Sequence, residues 1–328
     1  MMKTRKIIML FFYHTSFINK SHKFHAVIQQ CVYEHTFFKQ MNVFKKLAWA
    51  IPISFYALDA NAWGLYTHIY FSQYLLLAVP LVGDKTLHSK IQLAVKNFPK
   101  LVLAGACLPD LAIVSKAFNT THQWRISEQM LAAARTDQEI AIAVGYTSHL
   151  FVDVIAHNHF VPAHEAKWVN KTILTHIASE WAMDAYVAKA LKHRPHQLIR
   201  QHLTVLTEFV APIFNVPAET AKANLKRLAF WDQLLRITQL SPMILWLLRI
   251  SDTEFIKNLN YYLGKTEHAL SQFHHALQGK RPNWEPELTH LNVTELIAWR
   301  EQCLGDLRLH MLNPVDFYHD SPKNVTRK

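Results

Sequence analysis

Two pairs of residues carry metal-ligating atoms at helical spacing. His149 and Asp153 lie in AIAVGYTSHLFVDVIAHNHFVP (141–162), and His176 and Glu180 lie in HIASEWAMDAYV (176–187). Residues four apart project from one face of a helix, one turn above the other. Imidazole nitrogen and carboxylate oxygen are ligand types that zinc accepts at about 2.0–2.2 Å. Two His-x-x-x-acid pairs on apolar helices suggest a metal site built from the side chains of facing helices. His159 stands six residues after Asp153, shortly before Val161-Pro162, where a proline is expected to end the helix. Gly145, one turn before His149, would let another backbone come close to the site.

Other residues join this set by their surroundings. Asp110 follows Pro109 inside LVLAGACLPDLAIV (101–114), which is otherwise apolar. A carboxylate there is costly unless it is paired or binds a metal, so a ligand role is favoured over a simple helix cap. His122 lies in NTTHQWRISEQML and gains weight only from its place in the order. Histidine is frequent, 21 in 328 residues, which raises the expectation of metal binding but names no ligand.

The elements that must hold these side chains are helices. Glycine is scarce, 7 in all, and Val/Thr-rich alternating runs are few, so an all-α fold is expected. Half of the chain is hydrophobic, enough for a full core. A first helix is expected from His68 through Leu77 with Thr67 as its cap. A second occupies residues 86–97, and a polar helix spans 126–140 before the central apolar stretch. Cys107 and Cys303 can either pair or remain buried as small hydrophobes; their spacing leaves both open.

The front of the chain reads as a targeting segment. From Met41 the sequence is MNVFKKLAWAIPISFYALDANAW: a basic pair at Lys45-Lys46, an apolar run from Leu47 to Leu58, and Ala60-Asn61-Ala62 as an A-x-A cleavage signal. The apolar run is too short to span a bilayer comfortably. Residues 41–62 are therefore expected to be a signal peptide, and residues 1–40 an upstream extension. The functional domain is 63–328, secreted to the periplasm or outside the cell after cleavage behind Ala62. Trp63 would then begin the mature chain, and its free α-amine and carbonyl oxygen could chelate a metal. The formal net charge is +11, of which residues 1–62 hold six; the +5 left on the domain gives only mild steering towards anions.

In order, the set is Trp63, His68, Asp110, His122, His149, Asp153, His159, His176 and Glu180. This series resembles the zinc-dependent phospholipase C superfamily, which includes single-strand-specific three-zinc nucleases. The resemblance implies an all-α bundle with three zinc ions in a cleft. It assigns Asp110, His122, His149 and Asp153 to one zinc. The amine and carbonyl of Trp63, with His68 and a bridging Asp153, go to the second. His159, His176 and Glu180, with Asp110 within reach, go to the third. It also implies phosphodiester hydrolysis by a zinc-bound hydroxide, with Asp110 as a candidate to orient or deprotonate the water. The short Trp63-to-His68 spacing leans towards the nuclease branch, whereas Glu180 leans towards the phospholipases.

A phospholipase C acting on phospholipid at a membrane surface is the favoured reading, as a monomer with no stable nucleic-acid partner. The alternatives are a nuclease of the same superfamily and a non-catalytic zinc-binding, membrane-associated protein. Beyond residue 185 no further ligand series occurs, and no aromatic-basic interleaving marks a strand-binding groove. His157 and His164 are neighbours of the ligands that could orient them. Ser241-Pro242-Met243-Ile244-Leu245-Trp246-Leu247-Leu248-Arg249-Ile250 is read as a buried helix packed on the bundle. Its other possible use is a bilayer contact through Trp246. Residues 279–292 read as a loop.

Overall fold

The computed structural model describes residues 64–79, 81, 87–168, 172–288, 291–311 and 314–320. The expectations for residues 1–63, including the leader, its cleavage point and Trp63, lie outside them. Every regular element among the described residues is helical. In chain order they are α1 (Leu65–Ala78), α2 (Ser89–Asn97), α3 (Pro99–Gly105), α4 (Leu111–Val114), α5 (Trp124–Ala133), α6 (Asp137–Ile155), α7 (Val161–Lys167) and α8 (Thr172–Val187). There follow α9 (Pro195–Gln201), α10 (Leu203–Ile213), α11 (Ala218–Ile237), α12 (Leu240–Ser251), α13 (Phe255–Leu270), α14 (Phe273–Leu277) and α15 (Val293–Leu309).

The bundle is built around α6. All of its residues from Ala141 to Ile155 are buried, as expected of a helix that is apolar on every side. The helices α1, α2, α3, α5, α10, α13 and α14 surround it. Its start is set locally. Thr136 accepts the Glu139 N–H at 3.2 Å, and the Glu139 carboxylate accepts the Thr136 N–H at 2.9 Å. This reciprocal cap satisfies two of the donors that every helix start leaves over. It also divides the single helix expected over 126–140 into α5 and α6.

Pro162 does not end the helix, contrary to expectation. Residues Ala156–Phe160 form a widened turn in which the Val161 N–H bonds the Ala156 carbonyl, five residues back. The chain then continues into α7, giving one helical stretch from Asp137 to Lys167. A proline inside a helix leaves the carbonyl four residues earlier without its donor. That carbonyl, on Asn158, instead accepts the Trp299 indole N–H at 2.6 Å from α15. The next one, on His159, accepts the Tyr262 hydroxyl at 3.1 Å from α13. The widened turn thus persists because distant side chains supply its missing donors.

Two glycines set the crossing of α3 and α6. A Cβ on Gly145 would lie 2.0 Å from the Val102 carbonyl oxygen, and one on Gly105 would lie 2.2 Å from that of Ile142. Only hydrogens fit, so the two backbones touch. This bears out the role read for Gly145, with α3 as the partner.

α1 begins at Leu65 rather than His68, and Thr67 is not its cap. α12 packs along α8, but it is not buried all round: Ile244, Leu245 and Leu248 face the core, while Trp246, Leu247 and Ile250 are exposed. Residues 279–288 form a loop, as expected. Cys107 and Cys303 are both buried free thiols.

Candidate metal centre

His149, Asp153 and His157 form a row along one face of α6 and its widened turn, at steps of four. Asp153 is fully buried and presents its two oxygens in two directions. Oδ2 lies 3.0 Å from His149 Nε2 and 3.6 Å from His122 Nε2. Oδ1 lies 3.3 Å from His68 Nε2 and 3.7 Å from His157 Nε2. His68 comes from α1, and its ring stacks on that of His149 at 3.5 Å. Asp110 Oδ1 stands 3.9 Å from both His122 Nε2 and His149 Nε2. Asp110 occupies the cap position of α4, yet its side chain makes no cap bond. Its burial is therefore not explained by capping.

A second row runs along α8. His176 Nε2 is 2.8 Å from Glu180 Oε1, and the His157 ring lies 5.3 Å from that of His176. Three sets of donor atoms result, the atoms of each lying within 4.8 Å of one another: His68, His149 and Asp153; Asp110, His122 and His149; His157, His176 and Glu180. Two donors bound tetrahedrally to one zinc sit about 3.4 Å apart, so these spacings suit that ion.

The structure places His159 elsewhere. Its ring lies against Trp284 and Trp299, at 5.1 and 5.4 Å between centroids, and it joins none of the three sets. His157, read from sequence as a supporting neighbour, stands where His159 was expected. The physical reason is the widened turn: with no break after Asp153, the residue one turn on is 157, while 159 points to the far side.

The donor chemistry fits a cation. Both oxygens of Asp110 and of Asp153, and His157 Nε2, are buried with no hydrogen-bond partner. Burial pushes the Asp110 and Asp153 carboxyls well above the usual range. It pushes His149 and His157 down and His122 to about 3. Neutral imidazole is the form that binds metal, and ionised buried carboxylates need a positive partner.

Surrounding groups fix which nitrogen faces inward. His149 Nδ1 donates to the Ala106 carbonyl at 2.8 Å, directly after the α3–α6 crossing. Thr121 Oγ1 donates to the Pro109 carbonyl at 2.6 Å and so can accept from His122 Nδ1, 3.3 Å away. In both residues Nε2 is left to face the cluster.

Two further carboxylates belong to this region and were not legible in the sequence. Glu287, in the loop after α14, has an oxygen 3.9 Å from His122 Nδ1 and is 34% exposed, so it stands at the rim. Asp184 lies one turn beyond Glu180 on α8 and is fully buried. It accepts the Thr67 N–H at 2.9 Å and the Thr67 hydroxyl at 2.8 Å, and pairs with Arg236 at 2.5 Å. Arg236 continues to Asp232 at 3.5 Å, and Asp232 to His196 at 2.8 Å. The guanidinium also covers the Tyr66 ring at 4.1 Å. Asp184 therefore caps α1 from another helix, one residue before His68.

A helical bundle with clustered buried imidazoles and carboxylates, His149 and His122 among them held by outer hydrogen bonds, has the donor set of a metal-binding protein. Residues 67–224 match the family model described as zinc dependent phospholipase C. The match takes in His68, Asp110, His122, His149, Asp153, His157, His176 and Glu180, and the clustered ligands fit zinc binding. No curated protein and no solved structure matches the chain.

Proposed function

We propose that this protein is an exported zinc-dependent phospholipase C that cleaves the glycerol side of a phospholipid's phosphodiester, releasing diacylglycerol and a phosphorylated headgroup. The observation that carries the reading is the two-sided carboxylate of Asp153, which faces His149 and His122 on one side and His68 and His157 on the other.

Asp110, His122, His149 and Asp153 would hold one zinc. His68 and Asp153 would hold a second, with the amine and carbonyl of Trp63. His157, His176 and Glu180 would hold the third. Zinc in such a site supplies a hydroxide nucleophile near neutral pH and neutralises phosphate oxygens. Asp110, 1% exposed and enclosed by two imidazoles, serves as a ligand in this reading rather than as the base. Glu287 is the rim carboxylate placed to pass a proton to solvent. Export fits the ligand count, because cleavage behind Ala62 frees the α-amine of Trp63 five residues from His68.

The test is to assay the purified zinc form on phosphatidylcholine micelles and on single-stranded DNA. Release of phosphorylated headgroup from lipid alone is expected. Cleavage of DNA alone, or inertness towards both, would overturn the lipid reading. Intact mass of the exported protein is expected to begin at Trp63.

A further inference from the structure

α12 carries an apolar face on the outside of the molecule. Its inner residues Ile244, Leu245 and Leu248 pack against the core. On the outer side Trp246 is 44%, Leu247 45% and Ile250 60% exposed. Leu247 and Ile250 are three apart and Trp246 and Ile250 four, so the three share one face. Shortly before the helix, at the end of α11, Ile237 is 65% exposed as well.

Charge around this face is one-sided. No Asp or Glu occurs from Gln233 to Ser251. The acids that border it are paired: Asp252 with Lys167 at 2.5 Å, Glu254 with Lys257 at 2.8 Å, and Asp232 with Arg236 at 3.5 Å. Arg249 lies on the helix itself, exposed and in no ion pair among the described residues. The helix runs antiparallel along α8. Its start is tied to the far end of α8 through Arg236, which reaches both Ser241 and Asp184. Its end is tied to the end of α7, and hence to the beginning of α8, through Asp252 and Lys167. The outer face thus lies one helix away from His176 and Glu180.

We propose that α12 docks this protein on the surface of a phospholipid bilayer, with Leu247, Ile250 and Trp246 entering the headgroup–acyl boundary and Arg249 meeting phosphates. The inference rests on the lipid-substrate reading above and extends it to the surface that brings enzyme and substrate together. Three half-exposed side chains offer an area on the order of a few hundred Å², well below the ~800 Å² per partner of a stable dimer. A shallow interfacial helix needs only such a stripe together with a basic flank.

The test compares the full zinc-loaded protein with the double variant Leu247→Glu/Ile250→Glu. Both are co-sedimented with phosphatidylcholine vesicles containing a minor share of phosphatidylglycerol, and both are assayed on a short-chain phosphatidylcholine below its micellar concentration. The wild type is expected to partition onto vesicles and the variant to do so at least about tenfold more weakly, with hydrolysis of the monomeric lipid unchanged within about twofold. Arg249→Glu, which leaves the apolar face intact, is expected to weaken binding as phosphatidylglycerol is raised. Equal partitioning of wild type and double variant would overturn the proposal. So would a wild-type dimer in sedimentation velocity that the double variant abolishes. If neither form hydrolyses monomeric lipid while the vesicle difference persists, the lipid-substrate reading fails and the docking face stands.

Discussion

Asp184 accepts the backbone N–H of Thr67 at 2.9 Å, although 117 positions separate the two residues. The helix that carries His176 and Glu180 therefore caps the helix that carries His68, and two sets of ligands share one anchor. Replacing Asp184 by Asn removes the charge that faces Arg236, leaving a buried guanidinium with half of its pairing. Breaking one side of a buried ion pair costs about 3–5 kcal/mol. Asp184→Asn is expected to lower stability by that order in urea unfolding and to weaken zinc retention at the His68 set. A variant with unchanged midpoint and full zinc content would remove Asp184 from the anchor.

The two histidines of the widened turn make opposite predictions. His157→Ala is expected to lower zinc content by about one equivalent, because it strips the set completed by His176 and Glu180. His159→Ala is expected to retain zinc and to lose stability by about 1–3 kcal/mol, through the space left beside Trp284 and Trp299. Elemental analysis of the two purified variants decides between them. The reverse pattern would restore His159 as the ligand.

The α3–α6 crossing leaves no room for a methyl group. Gly145→Ala would place a Cβ 2.0 Å from a backbone carbonyl, which cannot swing aside as a flexible side chain would. The helices must part, at a cost of about 1–3 kcal/mol or more. The same shift should lengthen the bond from His149 to the Ala106 carbonyl, so zinc affinity should fall along with stability. A thermal midpoint equal to wild type would contradict the close crossing.

Acid should unfold the metal-free protein partly through His164. This ring is fully buried, donates to the Phe160 carbonyl at 2.8 Å, and is pushed by burial down to about 4. An unfolded histidine titrates near 6.5. The folded state thus binds its proton less readily than the unfolded state. The associated stability is fully present above about 6.5 and is lost as pH falls towards 4, amounting to about 3 kcal/mol. In His164→Phe that part of the pH dependence should vanish, read as a smaller slope of unfolding free energy between pH 6.5 and 4. Burial lowers His122, His149, His157 and His159 in the same direction, so the difference between wild type and variant is the quantity to measure.

Much of the site was legible because helical periodicity is a local rule. His149 with Asp153, and His176 with Glu180, needed only a spacing of four. His157 obeys that rule equally, but the proline at 162 argued for a helix end. What cancels the proline is a bond from Trp299, 141 positions away, and no local pattern reveals it. Asp184 and Glu287 were missed for the same reason: their partners, Thr67 and His122, are neighbours only after folding. The division between α5 and α6 is a different case. Thr136-x-x-Glu139 is a capping signature present in the sequence, although the stretch 126–140 reads as one polar helix. The all-helical class was legible because glycine is scarce and Val/Thr-rich alternating runs are few.

The widened turn at 156–160 also ties three sequence features together: the length of the segment, Pro162 and Trp299. Losing one residue there would restore an ordinary helical ladder, which then requires an N–H where Pro162 has none. Keeping the extra residue while losing the indole at 299 would strand the Asn158 carbonyl. A change in segment length would also turn every later residue of the central helix away from its present neighbours.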